Sequence, residues 1–485
     1  MSPLSPKCPF PLRTFLALFL FLNFLYLLTS TGRVHTMDEI SAVIQAESIA
    51  LHGTTAVPQA VGSNVYFGKI GRDGQPHSAY LPGQSAAIVP WYDFGRFVLA
   101  KLPGVPGNVQ DLVFSMTATW SSATFAALAA ALVLPLVMAV GLSVRQGVTI
   151  AFVIAVGTPL FVYSAWLFSE PLTTALLMGA AVALFASADI SLRRAALAGL
   201  LLGCAMWVRP ANVLAAAVFI AAPLVRDGRK AIRSTLVLML VVFVFGVSIL
   251  TRNQVLFGSP SDFGGPRYGE AGRDMGSFDI AWHVGLGALL LSPGKSALLF
   301  CPLSLLAIPG LGRIWRRDHG VAVVCGVVPL VNLLFYGHYS CFEGGYSYGP
   351  RYLVPSLVLL CVGLAGWFVD PPRWWKKAFI ALFAFGLAVQ VIGLSTNVIE
   401  DMVANHYYDA RYFYQTNYSP ITGQLRLFAK YLGGAPAPLG MGFDRWFLFA
   451  EKAGIPGWII FMLLAIMTTG LAVSGWTLLR QVRSA

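Results

Sequence analysis

Two adjacent carboxylates, Asp38 and Glu39, follow the first apolar run of the chain and are the residues best placed for acid–base chemistry. Thr36 can cap a helix whose first turn contains both acids, and Gly53 can end that helix. Such a helix, directly after a membrane span, places the pair at the depth of lipid phosphates. A carboxylate there can take a proton from an acceptor hydroxyl. The equal alternative is that these acids only stabilise the helix through its dipole.

A second unusual string runs from residue 342 to residue 352 and combines glycines, aromatic hydroxyls and charge. Glu343, Tyr346 and Tyr348 are candidate polar contacts within it, and Arg351 opens the next apolar block. An arginine can bind phosphate oxygens through two parallel hydrogen bonds, so Arg351 is a candidate phosphate ligand. The alternative is an interface arginine whose charged end only reaches the headgroup layer.

Residues 66–83 predict a small hairpin that turns at Asp73-Gly74. Its polar candidates for a site are Lys69, His77 and Tyr80. For each of them an ordinary solvated loop residue is the more frequent case. We therefore treat them as secondary candidates, with Lys69 assigned to phosphate binding.

Further charged residues fall in other segments between apolar blocks. Glu170 and Arg209 each lie in a short turn, where Arg209 can either anchor lipid headgroups or pair with Glu170. Pro171, directly after Glu170, equally suits the start of a helix. Arg267 and Lys295 precede a later apolar block and are weaker candidates for a phosphate site.

The composition indicates the scaffold that must position these residues. Hydrophobic residues make up 57% of the 485 positions and charged residues 11%, whereas a soluble protein carries about a quarter charged residues. The apolar residues form blocks of about twenty, which is the length of a membrane-spanning helix. We therefore expect an all-α polytopic membrane protein with about twelve transmembrane helices, interfacial helices and irregular outer loops. A soluble enzyme is excluded.

The net charge of +12 comes from short basic clusters between the apolar blocks, such as Arg193-Arg194 and residues 226–233. That pattern is typical of cytoplasmic loops, so it predicts topology and not a nucleic-acid partner. It places both termini in the cytoplasm and the long polar segments outside. We expect the membrane to be a cell inner membrane. The first outer loop, residues 32–112, holds the carboxylates. We interpret the chain, residues 1–485, as one membrane domain.

Two outer regions need separate interpretation. Residues 84–101 are apolar but interrupted by Trp91, Asp93 and Arg96, so we expect them at the outer interface and not across the membrane. The last outer loop, residues 397–455, is a candidate acceptor-binding region, with a packed aromatic loop as the equal alternative. The tyrosines that suggest this role are Tyr407, Tyr408, Tyr412, Tyr414 and Tyr418.

Taken in order, these residues resemble the motifs of the GT-C superfamily of membrane glycosyltransferases, nearest to its protein O-mannosyltransferase and aminoarabinose transferase members. The resemblance covers roughly residues 14–360. It rests on ordered pieces, none of which is specific alone. The pieces are Asp38-Glu39, Tyr80-Leu81-Pro82-Gly83, residues 158–164 running into Ser169-Glu170-Pro171, Trp207-Val208-Arg209-Pro210, and residues 344–352.

The resemblance implies an inverting enzyme at the outer membrane face. Such an enzyme moves a sugar from a polyprenyl-phosphate carrier to the hydroxyl of an acceptor glycan, lipid or protein. It implies that Asp38 is the general base, Glu39 its neighbour in acceptor or metal handling, and Arg351 a ligand of the lipid phosphate. A divalent metal ion at Glu39 or Glu170 stays open, since the ligand spacing does not indicate one.

The chain departs from the family pattern in two places. Cys341-Phe342-Glu343 stands where relatives often have tryptophan, and no Lys-Pro-Pro string is present. The identities of the sugar and the acceptor therefore cannot be carried over. One alternative is a lipid or solute transporter or flippase of similar span count, and another is a non-catalytic subunit on the same fold. A transporter is disfavoured because the apolar blocks carry almost no charge and show no internal repeat.

Overall fold

The computed structural model describes residues 11–62, 68–101, 106–265, 277–368, 371–405, 411–436, 442–452 and 454–484. These residues are almost entirely helical. The first helices are α1 Leu12–Thr29, α2 Met37–His52, α3 Pro58–Gly62, α4 Gly83–Leu99, α5 Gly107–Ala131, α6 Val133–Ala139, α7 Val144–Gly157, α8 Leu160–Tyr163, α9 Glu170–Phe185, α10 Leu192–Val208, α11 Asn212–Asp227 and α12 Ile232–Phe257. The remaining helices are α13 Trp282–Leu291, α14 Ala297–Phe300, α15 Ser304–Trp315, α16 His319–Gly337, α17 Val354–Cys361, α18 Trp375–Ser395, α19 Val398–Ala404, α20 Arg411–Tyr414, α21 Pro420–Leu432, α22 Trp446–Lys452 and α23 Gly457–Ser484.

Six stretches of the described residues are long and apolar enough to cross a membrane. They are α1, Val109–Ala139, Asn212–Phe257, α16, α18 and α23. Shorter apolar helices accompany them at α7, α9, α13 and Arg351–Trp367. The predicted class, an all-α polytopic membrane protein, is confirmed. Six stretches in the described part of the chain meet the length and composition of a membrane span. The number of twelve spans therefore stays a prediction.

Helix α9 lies at the centre of the fold. Beyond its first turns, which contain Glu170, Thr173 and Thr174, it consists of apolar residues and glycine, and a helix of that kind is stable when it is surrounded. It packs against α5, α10 and α17, and most of its side chains are buried. Its first residue, Glu170, is therefore fixed at the end of the most enclosed helix.

The hairpin and the helix predicted in the first outer loop are both present. Strands Lys69–Ile70 and Pro76–His77 pair antiparallel, and Gly74 adopts the positive φ that the turn requires. Helix α2 begins after Thr36, whose side chain accepts a hydrogen bond from the backbone N–H of Glu39. It ends at Gly53, which has a left-handed conformation.

Residues 84–101 form most of α4, which is absent from the membrane-spanning candidates among the described residues. The helix packs on α2 and α5 and contains Pro90. Its opposite face exposes Phe94 and Phe97. This arrangement suits the predicted interfacial location, because aromatic side chains are stable at the boundary between lipid and water.

Candidate active site

The carboxylate of Glu39 is buried and holds backbone groups together. Its Oε2 accepts hydrogen bonds from the backbone N–H groups of His35, at 2.7 Å, and Thr36, at 2.9 Å. Its Oε1 accepts from the N–H of Leu167, at 2.8 Å, in the connection that leads to α9. Burial raises the pKa of this carboxyl group against the opposing effects of His35 and these N–H groups. Glu39 thus ties the start of α2 to the segment before Glu170.

Asp38 points to a different set of partners. Tyr80 donates a hydrogen bond from its Oη to Oδ1 of Asp38 at 2.5 Å. The Nη1 atom of Arg351 lies 2.7 Å from Oδ2. The Asp38 side chain retains 22% of its exposure, so it can be reached from outside the protein. The structure therefore brings together three residues that the sequence singled out in three separate segments.

Arg351 is held on several sides. Its Nε lies 3.1 Å from Oε1 of Glu170, and Nη1 also donates to the carbonyl of Gly344 at 3.2 Å. The guanidinium group lies over the ring of Phe168, with 3.8 Å between its Cζ and the ring centroid. Gly344 allows this approach, because a Cβ atom there would lie 2.9 Å from Cβ of Arg351.

Glu170 contacts Arg209 as well as Arg351, so the two residues pair with each other in the structure. The Nη2 atom of Arg209 lies 2.8 Å from Oε1 of Glu170 and 3.0 Å from Oγ of Ser169. Glu170 is fully buried, and its Oε2 has no hydrogen-bond partner among the described residues. Two carboxylates thus alternate with two guanidinium groups in a network of no net charge, from Asp38 through Arg351 and Glu170 to Arg209.

The hairpin candidates Lys69 and His77 have partners elsewhere. Lys69 pairs with Asp262 at 2.5 Å, and His77 pairs with Asp73 at 2.9 Å. The hairpin contacts the end of α12, where the ring of Phe257 lies edge-on to His77. Tyr80, which follows the hairpin, contacts Asp38. Arg267 lies outside the described residues.

The other candidates around the glycine-rich string contact backbone and core groups. The buried Nζ of Lys295 donates to the carbonyl oxygen of Ser347, at 2.9 Å, and to its hydroxyl, at 3.1 Å. Burial lowers the pKa of Lys295 to about 7, an effect that nearby Glu343 opposes and Arg351 reinforces. Tyr348 donates from its hydroxyl to the carbonyl of Val389 at 2.6 Å and is buried. Tyr346 is half-buried and packs against the main core.

A second charged cluster escaped the sequence analysis. The buried His35 lies with Nε2 2.7 Å from Oδ2 of Asp444, and Arg33 lies 3.3 Å from the other carboxylate oxygen. The imidazole stacks on Trp166 at 4.7 Å. The cluster joins the start of the first outer loop to the last one. No local spacing could reveal it, because the partners are more than 400 positions apart.

Glu39 and Glu170, the two candidates for binding a divalent metal ion, do not have surroundings that suit a cation. Both oxygens of Glu39 accept backbone hydrogen bonds, and Glu170 faces two guanidinium groups that would repel a cation. Among the described residues, no three His, Cys, Asp or Glu side chains are grouped as metal ligands.

The overall fold is similar to that of solved membrane proteins. The crystal structure of ArnT from Cupriavidus metallidurans in the apo state matches with a TM-score of 0.52 and 13% sequence identity, over 96% of this chain and 75% of that chain. The crystal structure of the same ArnT bound to undecaprenyl phosphate matches over the same shares, with a TM-score of 0.48 and 13% identity. No family model and no curated protein matches the chain. The chain therefore shares its polytopic helical fold with the apo ArnT structure.

Proposed function

We propose that this protein is an integral membrane glycosyltransferase that moves a sugar from a polyprenyl-phosphate carrier to an acceptor hydroxyl with inversion. The observation that carries the proposal is the 2.7 Å contact between Asp38 and Arg351, a general-base candidate beside a phosphate-ligand candidate. The fold supports it, because ArnT, whose apo structure is similar to this chain, has also been crystallised with undecaprenyl phosphate.

The proposed chemistry needs one base and one anion site. Asp38 takes the proton of the acceptor hydroxyl as that oxygen forms a bond to the anomeric carbon. The bond between that carbon and the phosphate oxygen breaks, and the electron pair leaves with the phosphate. Arg351 stabilises the charge that develops there, with Arg209 beside it across Glu170. The leaving phosphate needs no general acid.

We place this chemistry at the outer face of a cell inner membrane, with both termini in the cytoplasm. The basic clusters between the apolar blocks support that orientation. The network also sits at the ends of helices, since Asp38 lies in the first turn of α2 and Glu170 begins α9. A transporter would be expected to carry its charges near the middle of the membrane. Charges at helix ends therefore favour a reaction at the membrane surface.

The last outer loop is the part we assign to the acceptor, which is a glycan, a lipid or a protein. Its helix α21 packs on α18 and α19. Arg426 pairs with Asp401 at 3.0 Å, and Ser419 donates to the carbonyl of Pro293 at 2.6 Å. These contacts attach the described parts of the loop to the membrane helices and to the segment that contains Lys295.

Transfer from a panel of polyprenyl-phosphate sugars by the purified protein tests the proposal. The wild-type protein should release polyprenyl phosphate from one of these donors when acceptor is present, and Asp38→Asn should not. Asp93→Asn is the matched control, because Asp93 lies on α4, is half-exposed and pairs only with neighbouring Arg96 in the contacts described. Normal turnover by Asp38→Asn would show that the base is another group. Solute uptake by reconstituted vesicles without any sugar transfer would establish the transporter instead.

A further inference from the structure

In the structure, the proposed base Asp38 and the proposed phosphate ligand Arg351 are bound to each other. Oδ2 of Asp38 is engaged by Arg351 and Oδ1 by Tyr80. A positive partner favours the ionised carboxylate, so a carboxylate held by a guanidinium group is a weaker base than a separated one. The reaction therefore requires that Asp38 and Arg351 part before the acceptor loses its proton.

Arg351 is the partner that stays in place. Glu170 holds its Nε, the carbonyl of Gly344 accepts from its Nη1, and Phe168 lies under its face. Glu170 is itself fixed by burial and by Arg209. The Asp38 side chain is the more exposed of the two, at 22% against 7% for Arg351, and lies in the first turn of α2. The exchange therefore moves the carboxylate and leaves the guanidinium group where it is.

The donor supplies a competing anion. A polyprenyl-phosphate sugar is a phosphodiester with one negative charge, and guanidinium groups bind phosphate oxygens strongly. The network of Asp38, Arg351, Glu170 and Arg209 has no net charge before the donor arrives. Donor binding adds one negative charge to the network. A proton bound by Asp38 restores the network to no net charge. The charge balance thus favours proton uptake by Asp38 only once the donor is bound.

We propose that Asp38 occupies the phosphate site of the free protein and that the donor phosphate displaces it from Arg351, so that donor binding frees the base. Asp38 is then a determinant of donor affinity as well as the base, and Glu170 positions Arg351 for both partners. The order of binding follows, with the donor before the acceptor. This inference rests on the proposed function, because it takes the donor to be a polyprenyl phosphate.

Equilibrium binding of undecaprenyl phosphate to the purified full-length protein in lipid nanodiscs tests the exchange. Asp38→Asn removes the competing charge and keeps the side-chain shape. It should bind the lipid phosphate more tightly than wild type by about fivefold, the scale of one partly exposed ion pair. Undecaprenol, which lacks the phosphate, should bind both proteins equally. Asp93→Asn should match wild type for both lipids.

The outcomes separate the inference from the proposed function. Equal affinity of wild type and Asp38→Asn for undecaprenyl phosphate overturns the exchange and leaves the glycosyltransferase assignment standing. No binding of undecaprenyl phosphate by any variant, together with no transfer from any donor, overturns both. Asp38→Ser provides a second removal of the charge should thermal unfolding show that Asp38→Asn is misfolded. A gain for undecaprenol equal to that for the phosphate would also contradict the exchange.

Discussion

Asp38 and Glu39 are neighbours in the chain, yet Glu39 accepts backbone hydrogen bonds at the start of α2 while Asp38 contacts Arg351. The difference follows from helix geometry, because adjacent helical residues point about 100° apart. Two identical functional groups thereby have different environments. The Glu39 carboxylate is buried in the fold, whereas the Asp38 carboxylate is partly exposed and contacts a charged cluster.

Glu39→Gln should therefore lower stability more than it lowers the chemistry of the folded protein. The amide has one carbonyl oxygen where the carboxylate used two, so a buried N–H group loses its partner at a cost of about 1–3 kcal/mol. Thermal unfolding in detergent and transfer per folded molecule measure the two effects. Wild-type stability combined with lost transfer would instead assign Glu39 to the reaction.

Arg351→Lys should weaken donor use even though the charge is kept. An ammonium group cannot contact Glu170 and a donor phosphate together in the planar arrangement that the guanidinium group provides. Loss of one charge-assisted hydrogen bond corresponds to a fall in kcat/KM of about ten- to a hundredfold. Steady-state kinetics at varied donor concentration checks this. Arg96→Lys on the surface of α4 is the control, and an equal fall there would remove the specific role of Arg351.

Lys295 should make the stability of the protein depend on pH. Its pKa is lowered to about 7 in the folded protein, whereas it is near 10.5 in an unfolded chain. Between those values the unfolded chain binds the additional proton, so stability attributable to this residue rises as the pH increases from 7 to about 10. Unfolding midpoints of wild type and Lys295→Met across this range test it. Parallel curves for the two proteins would contradict the prediction.

The His35–Asp444 pair should show the opposite dependence. Burial disfavours the charged imidazole, but Asp444 and Glu39 outweigh it and raise the pKa of His35. The stabilisation is therefore fully present below the ordinary histidine pKa of about 6.5 and is lost as the pH rises through the raised value. The stability difference between wild type and His35→Gln measures it. A difference that grows with rising pH would be inconsistent with this assignment.

The sequence predicted best what is decided locally. Thr36 and Gly53 marked the ends of α2, and Asp73-Gly74 marked the hairpin turn, because caps and turns depend on neighbouring residues. Arg351 was singled out for its setting among glycines and aromatic residues. Each of these features is visible in a few consecutive positions.

Long-range partners could not be predicted in the same way. Lys69 was assigned to phosphate binding but pairs with Asp262, and Lys295 was grouped with the phosphate ligands but donates to Ser347. Nothing in the sequence around Asp444 indicates that it pairs with His35 near the start of α2. Such pairings depend on how the helices pack, which residue type and spacing do not specify.

The enclosed position of α9 has a consequence for how the bilayer acts on this protein. Helices α12, α18 and α23 expose apolar side chains and meet any mismatch directly when the hydrocarbon layer becomes thicker or thinner. Helix α9 is shielded from lipid by its neighbours, and it carries Glu170, to which both arginines are joined. Changing the acyl-chain length should therefore strain the periphery of the molecule first, while the ion-pair network keeps its geometry.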